Sequence, residues 1–270
     1  MNSNNNVLKI FLLGGTKDST DIIKFIKNNF KDSYILTTTT TKYGGELSKV
    51  SGSDDVISKP LLKNEILDIL NKNDFDFLID ATHPFASHIT QTAIEVSNVM
   101  GISYIRFERP VFDLSCVDTG KLYHVNSFCE AGRLIVEDLD MGNVNVLHFA
   151  GANTMGDVLH YVNVENFYPR VLNIESSLEK CEDLGINKDH ILFMEGVSSK
   201  EENKDLIKKF DAKVIITKES GSTGGLFEKI SAANELNINI VLVDRPQVNH
   251  LNKNCIVSNL NDMLLKLNDY

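Results

Sequence analysis

Five segments hold residue types at spacings that could bind an anion or move a proton. In Gly14-Gly15-Thr16-Lys17-Asp18-Ser19, two glycines precede a run that can open a helix. Glycine lets a phosphate or a ring approach the backbone, and a helix N-terminus offers free N–H groups and the positive end of a dipole. The pattern is neither G-x-G-x-x-G nor a Walker loop. It reads equally as an anion cradle or as a tight turn capped by Asp18 or Ser19. Thr37–Gly45, TTTTTKYGG, adds hydroxyls, Lys42 and a second glycine pair. No acid stands before Glu46 to hold a ribose 2′-hydroxyl, so the threonines and Lys42 suit a phosphate, or else the stretch is a solvated loop.

Asp80-Ala81-Thr82-His83-Pro84-Phe85-Ala86 follows an apolar strand-like run. Pro84 keeps His83 out of helical dihedrals and is placed to begin the next helix. His83 can then meet a ligand and exchange a proton, or simply bond a neighbouring carbonyl. Arg106-Phe107-Glu108-Arg109-Pro110 sets two guanidinium groups around a carboxylate, either as an internal ion pair or facing an anionic ligand. Thr217–Gly225, TKESGSTGG, gathers hydroxyls, glycines and Lys218 before a helix, as a ligand cradle or a flexible linker. Asp244-Arg245-Pro246 closes the next strand-like run.

The elements that must position these groups alternate along the whole chain. Apolar runs predict strands at Val7–Leu13, Ser33–Thr38, Val56–Ile57, Phe75–Ile79 and Ser103–Phe107. Helical periodicity predicts helices at Ser19–Asn28, Leu62–Leu70 and Ala86–Met100, the last closed by Gly101. Beyond a joint at Pro110–Lys121, strands are expected at Leu122–Val125, Val144–Phe149, Arg170–Ile174, Ile191–Glu195, Lys213–Thr217 and Ile240–Val243. A final helix is expected at Asn259–Leu267, able to cross back to the first half. This alternation implies parallel sheets with crossover helices. The expected division is 1–115, an N-terminal domain with a dinucleotide site, and 116–270, a C-terminal α/β domain. Two such lobes would hold ligand in the cleft between them, beyond the carboxyl ends of their strands.

Composition narrows the classes. The 270 residues are 42% hydrophobic and 24% charged, an ordinary globular balance, and the net charge is −10. An acidic chain is not expected to bind nucleic acid or an anionic membrane, and no apolar run reaches the length of a membrane span. Residues Met1–Asn6 are polar and uncharged and show no signal-peptide pattern, so a cytoplasmic setting is expected. Cys116, Cys129, Cys181 and Cys255 are far apart, which predicts reduced thiols and no metal site.

LLGGTKDS (Leu12–Ser19), TKYGGEL (Thr41–Leu47), IDATHPFA (Ile79–Ala86), YIRFERP (Tyr104–Pro110), TKESGSTGG with EKISAA (Thr217–Ala233) and VDRP (Val243–Pro246) occur in the order seen in the precorrin-6A reductase family of cobalamin biosynthesis, which the chain resembles. The resemblance implies two Rossmann-like α/β lobes and reduction by NADPH or NADH of one double bond of precorrin-6A or its cobalt form. It implies a tetrapyrrole substrate, with other enzymes of the cobalamin pathway as candidate partners. Carried over residue by residue, it places Gly14, Gly15, Thr16, Tyr43, Gly44, Gly45, Thr82, His83, Lys218, Ser220, Gly221, Gly224 and Gly225 in the cleft. Taken with the chemistry of the five segments, the expected division gives Gly14, Gly15, Thr16, Thr38, Lys42 and Thr82 to the cofactor, Tyr43, Gly44, Gly45, Arg106, Arg109, Ser220, Gly221, Gly224 and Gly225 to the substrate, and His83 and Lys218 to proton transfer. The chain departs from the family at Gly196-Val197-Ser198, where Gly-Pro-Phe is common, and at Ala150-Gly151, where Thr-Gly is common. Two other classes stay open on the residues alone: a nucleotide-sugar-dependent transferase, which would need a carboxylate pair that does not stand out, and a non-catalytic two-lobed binding protein.

Overall fold

A computed structural model of the chain describes residues 7–116, 120–194, 196–221 and 224–268. Asp118 of the expected joint, Glu195 of an expected strand, Ser222 and Thr223 of the fifth segment and the polar start Met1–Asn6 lie outside the described residues. The chain divides into two units, one combining residues up to Arg109 with those from Gln247 on, the other running Pro110–Pro246.

Unit 1 runs β1 (Lys9–Leu13), α1 (Lys17–Asn29), β2 (Tyr34–Thr39), α2 (Lys42–Val50), β3 (Asp55–Ser58), α3 (Lys63–Lys72), β4 (Phe77–Asp80), α4 (Ser87–Met100) and β5 (Ser103–Phe107). Unit 2 runs β6 (Leu122–Val125), α5 (Phe128–Arg133), β7 (Val146–His148), α6 (Met155–Leu159), β8 (Phe167–Val171), α7 (Glu175–Asp183), β9 (Leu192–Phe193), α8 (Lys200–Lys209), β10 (Val214–Lys218), α9 (Leu226–Glu235) and β11 (Asn239–Val243). The chain then returns to unit 1 with β12 (Ile256–Val257) and α10 (Leu260–Asn268).

Each unit is built on a six-stranded sheet, ordered β12-β5-β4-β1-β2-β3 in unit 1 and β6-β11-β10-β7-β8-β9 in unit 2. Among the described residues every ladder is parallel. The expected α/β fold of parallel strands and crossover helices is therefore found twice. In unit 1 the strand order reverses between β1 and β4, the switch point at which open α/β sheets bind ligands.

Parallel strands covered on both faces must be apolar on both faces, and β1 shows how. Ile10 and Leu12 pack with Ile22, Ile23 and Ile26 of α1 and with Met263 and Leu267 of α10. Phe11 and Leu13 point the other way, to Ile66 and Leu70 of α3 and Ala93 and Val96 of α4. In unit 2, Leu147, Ile215, Ile240 and Leu242 pack against Ile207 of α8 and Ile230 and Ala233 of α9. Threonine and serine side chains cap the helices: Thr16 on α1, Thr41 on α2, Ser127 on α5 and Ser199 on α8. Gly101 closes α4 in the left-handed region, at φ 67°.

Three local features differ from expectation for physical reasons. The stretch after β2 is no loop through Gly45. Gly44 and Gly45 lie in the first turns of α2, and a Cβ on Gly45 would stand 1.9 Å from Ser58 Oγ, so the glycine lets α2 lie against β3. Strand β8 begins before Pro169 rather than after it. Its outer neighbour β9 pairs only with Arg170 and Val171, so the proline sits where little ladder is lost. Strand β12 is two residues long, too short for any periodic signal.

Helix α5 approaches α6 closely at Gly132, where a Cβ would meet the Val158 carbonyl oxygen at 2.8 Å. Backbone cannot yield as a side-chain tip can. Gly132→Ala is expected to destabilise the protein by about 1–3 kcal/mol, read as a lower urea midpoint with an unchanged slope.

Candidate active site

The loops after β1, β2 and β4 are tied together at the switch point of unit 1. Gly14 N–H donates to the Thr38 carbonyl at 2.8 Å, and Ala81 N–H to the Leu13 carbonyl at 2.9 Å. Thr16 Oγ1 donates to the Ala81 carbonyl at 2.7 Å while accepting from Ser19 N–H at 3.1 Å. Ser19 Oγ takes the Gly15 and Thr16 N–H groups, both at 3.2 Å. The segment is thus a capped turn, and its two glycines do different work. A Cβ on Gly14 would crowd Thr37 Cγ2 at 3.0 Å and Ser19 Oγ at 3.1 Å, so Gly14 serves packing. Gly15, exposed at φ +95°, would meet only Thr39 Cβ at 3.9 Å, so bare backbone faces open space there.

That open backbone is the feature a dinucleotide would use, and its surroundings suit one. Exposed Lys17 opens α1, exposed Lys42 opens α2, and the end of β2 carries threonines and no carboxylate. Thr38 itself is buried inside β2, which runs one residue further than expected, so Thr40 and Thr41 are the exposed hydroxyls at that end. Tyr43 stands out in solvent, 70% exposed.

The loop after β4 is organised by Asp80, whose side chain is fully buried. Its Oδ1 accepts from Thr82 N–H at 3.0 Å, Thr82 Oγ1 at 2.7 Å and Arg106 Nη1 at 2.8 Å, and its Oδ2 from Tyr104 hydroxyl at 3.1 Å. Asp80 and Arg106 are register partners on β4 and β5. Arg106 also donates to Thr82 Oγ1 at 3.1 Å and approaches Glu108 at 3.5 Å. Burial and the neighbouring carboxylate push the Tyr104 phenol up, out of reach of ionisation. With Thr82 fixed, His83 leads into a turn closed by Ala86 N–H donating to its carbonyl at 2.8 Å. Pro84 sits inside this turn and not, as expected, at the start of α4. Phe85 N–H donates to His83 Nδ1 at 3.1 Å, so the neutral ring carries its hydrogen on Nε2.

Both arginines of the fourth segment are held by carboxylates. Arg106, 2% exposed, is a buried partner of Asp80. Arg109 is paired with Asp18 in the first turn of α1, its Nε 2.7 Å from Oδ2, and so ties the end of β5 to that helix. Asp80 becomes the neighbour of Arg106 only once the register of β4 and β5 is known, and Asp18 that of Arg109 only once α1 is placed beside the end of β5.

In unit 2 the fifth segment closes on itself. Buried Glu219 accepts from Phe112 N–H at 3.0 Å and Gly221 N–H at 2.9 Å, and is paired with Arg245. Gly221 has φ +77°. A Cβ on Gly224 would fall 1.8 Å from Ser220 Oγ, and one on Gly225, the residue before α9, 2.4 Å from Val197 Cγ1. These glycines let the loop fold against its own serine and against Val197, one of the residues that departs from the resemblance. Lys218 ends β10, and burial lowers its pKa. A groove lined by Leu178, Ile186, Ile191 and Phe193 lies along edge strand β9, and none of the expected site residues lines it.

The sequence model of the family described as "Precorrin-6x reductase CbiJ/CobK" matches residues 9–267. The chain belongs to this family. It is similar to the cobalt-precorrin-6A reductase of Methanothermobacter thermautotrophicus, at 38% identity over 95% of this chain and 82% of that protein. It is likewise similar to that of Methanocaldococcus jannaschii, at 38% identity over 90% of this chain and 92% of that protein. The solved structure of "CobK precorrin-6A reductase" shares its fold, with a TM-score of 0.75 over 97% of both chains at 17% identity. Membership of the precorrin-6x reductase family makes the chain an oxidoreductase.

Several charged or titratable groups of this reductase escaped the sequence reading: Asp80 as a hub, Tyr104, Glu219, and in unit 2 His148, Arg170 and Lys229. His148 is fully buried between the Phe128 and Phe167 rings and bonds Thr154 Oγ1 at 2.9 Å. A histidine or arginine inside an apolar strand was the available signal for His148 and Arg170.

Removing the Asp80 carboxylate leaves the buried Arg106 charge with only the part-exposed Glu108, 3.5 Å from its Nε. Asp80→Ala is expected to cost about 3–5 kcal/mol, and the double variant Asp80→Ala/Arg106→Leu to recover a large part of it, measured by denaturant unfolding. His148 gives a pH dependence. Burial pulls its pKa down from 6.5 to about 3. The unfolded chain therefore binds a proton that the folded chain refuses, and stability falls as pH drops from about 6.5 toward about 3, by on the order of a few kcal/mol. In an NMR titration the His148 ring signals are expected to hold still above pH 5, while an exposed imidazole titrates near 6.5.

Proposed function

We propose that this chain reduces one carbon–carbon double bond of cobalt-precorrin-6A with a reduced nicotinamide dinucleotide, in cobalamin biosynthesis. The observation that supports it most is the bare, open backbone at Gly15, set at the switch point of a parallel sheet in a chain of the precorrin-6x reductase family. The two relatives carrying the cobalt-form name at 38% identity favour the cobalt-bearing macrocycle over the metal-free one.

The nicotinamide supplies a hydride to one carbon of the double bond, and a proton must reach the other. The protein's part is to bind, orient and protonate. Gly15 admits the pyrophosphate close to the backbone, the Lys17 ammonium and the positive end of α1 balance its charge, and Thr40, Thr41 and Lys42 receive the adenosine ribose. His83 polarises the macrocycle through a hydrogen bond from Nε2, the nitrogen left to donate once Nδ1 accepts from Phe85, and gives up a proton only as an imidazolium, whose Nδ1–H releases that contact. The Asp80 network holds the loop that carries it. Lys218 is the second candidate for the proton, since burial makes its ammonium readier to give one up.

Nicotinamide absorbance followed with anaerobic cobalt-precorrin-6A tests the reading. His83→Ala is expected to lower kcat by about 10²–10⁴-fold with the melting temperature retained. A folded variant turning over within a few-fold of the parent would leave His83 a structural residue. Because no acid meets the ribose at the end of β2, NADPH is expected to serve at least as well as NADH, and Lys42→Glu to lower kcat/KM for NADPH selectively. A parent preference for NADH that Lys42→Glu leaves untouched would move the ribose elsewhere.

A further inference from the structure

Among the described residues, unit 2 buries Arg170 and Lys229 with no carboxylate paired to either. Arg170 on β8 is 3% exposed and Lys229 on α9 is 7% exposed. Arg170 Nη1 donates to Ser198 Oγ and Asn203 Oδ1, both at 2.9 Å, and its guanidinium carbon lies 3.8 Å from the centre of the Phe149 ring. Its Nε is buried with no hydrogen-bond partner. Lys229 Nζ donates to the Gly224 carbonyl at 3.0 Å, which uses one of its three hydrogens. Among the described residues neither cation makes an ion pair. Glu202, the acid that acts on Arg170, is already held by the Ser199 N–H at 2.7 Å and hydroxyl at 3.0 Å as the cap of α8.

A cation taken out of water costs several kcal/mol unless a counter-charge meets it. Hydroxyl, amide and ring partners ease that cost without removing it. The two cations also repel. Burial, with Arg170 and Lys218 nearby, lowers the Lys229 pKa to about 7, and Glu228 opposes the shift only in part. Proteins seldom keep such an arrangement for stability alone, since a methionine would pack there at lower cost. Its place is telling as well. Phe149 follows β7, Arg170 lies near the end of β8, and Lys218 ends β10, so the charges gather at the carboxyl edge of the sheet, where α/β folds meet ligands.

We propose that Lys229, backed by Arg170, is the core of an oxyanion receptor in unit 2 that takes a carboxylate arm of the substrate macrocycle. The proposal rests on the reductase reading for the identity of the substrate. It needs no turnover for its test. The incoming carboxylate supplies the missing counter-charge, so the cost of burying the cations in the free protein returns as affinity in the complex. A phosphate of the dinucleotide is the other oxyanion available, and the experiment separates the two.

The probes are coproporphyrin, a tetrapyrrole with four carboxylates, its tetramethyl ester, and NADP⁺, each titrated against the full chain by fluorescence or calorimetry at neutral pH. The parent is expected to bind coproporphyrin at least tenfold more tightly than the ester. Lys229→Met is expected to weaken coproporphyrin at least tenfold, to leave the ester and NADP⁺ within twofold, and to melt no lower than the parent. Lys229→Arg should restore most of the coproporphyrin affinity. Lys229→Gln, which keeps a donor for the Gly224 carbonyl, should behave as Lys229→Met does and covers the case in which the methionine variant does not fold. Unchanged coproporphyrin affinity in either folded variant overturns the proposal, as does a parent that binds acid and ester alike or neither. A loss shared with NADP⁺ assigns the receptor to the nucleotide and overturns the carboxylate assignment. Failure of the reductase reading shows separately, as no nicotinamide oxidation by a parent that still passes these binding tests.

Discussion

A fully buried carboxylate at the end of a central strand has to be satisfied from every side, and Asp80 governs unit 1 for that reason. Four donor groups reach it: a guanidinium, a phenol, a hydroxyl and a backbone N–H. Each comes from a segment whose position matters to the site. Arg106 and Tyr104 fix β5 beside β4, and Thr82 fixes the loop that carries His83. The pair is no bargain for stability against an apolar alternative, because desolvating both charges offsets most of their attraction. What it supplies is specificity. Once Asp80 and Arg106 are both inside, only one register of β4 and β5 and one path for the following loop leave neither charge alone.

The second unit applies the same constraint in a different place. Glu219 follows β10 as Asp80 ends β4, and it too is buried, paired with an arginine and bonded to the backbone of its own loop. A carboxylate at a strand's end that turns back onto the next N–H groups freezes the loop beyond it. In the glycine-rich run after β10, which by composition alone could be a linker, Gly224 lies against Ser220 and Gly225 against Val197. In both units, then, a buried acid fixes the backbone that follows its own strand.

Much of this was legible in the residues, and the omissions have a common cause. Alternating apolar runs and helical periodicity located the long strands and helices to within a few residues, because burial on both faces of a parallel sheet leaves a strong one-dimensional signal. Gly101 ended α4 as its position required. The site was harder to read. Two glycines after the threonines of β2 looked like a loop, yet they lie inside α2, and Gly45 faces β3, a neighbour that appears only once the sheet is assembled. Arg106 and Arg109 looked like ligand contacts because their carboxylate partners are 26 and 91 residues away in sequence. Lys229 drew no reading of its own, although it stands with Leu226, Ile230 and Ala233 on the apolar stripe of α9, all four buried. A lysine at a position that periodicity assigns to the core is the one local sign such a group gives.

The buried cations also resolve a tension in the charge balance. A chain of net charge −10 repels a polycarboxylate at long range. That repulsion is screened within about 8–10 Å at physiological ionic strength, so it governs the approach more than the final contact. At contact the local groups decide, and low-dielectric surroundings raise their weight severalfold. An acidic exterior with cations held inside rejects polyanions that cannot reach the interior groups and retains one whose shape brings a carboxylate to them. Selectivity for a macrocycle with carboxylate arms then comes from depth as much as from charge. For the same reason Lys229 serves better buried, at the cost of a lowered pKa, than it would as one more lysine on the surface.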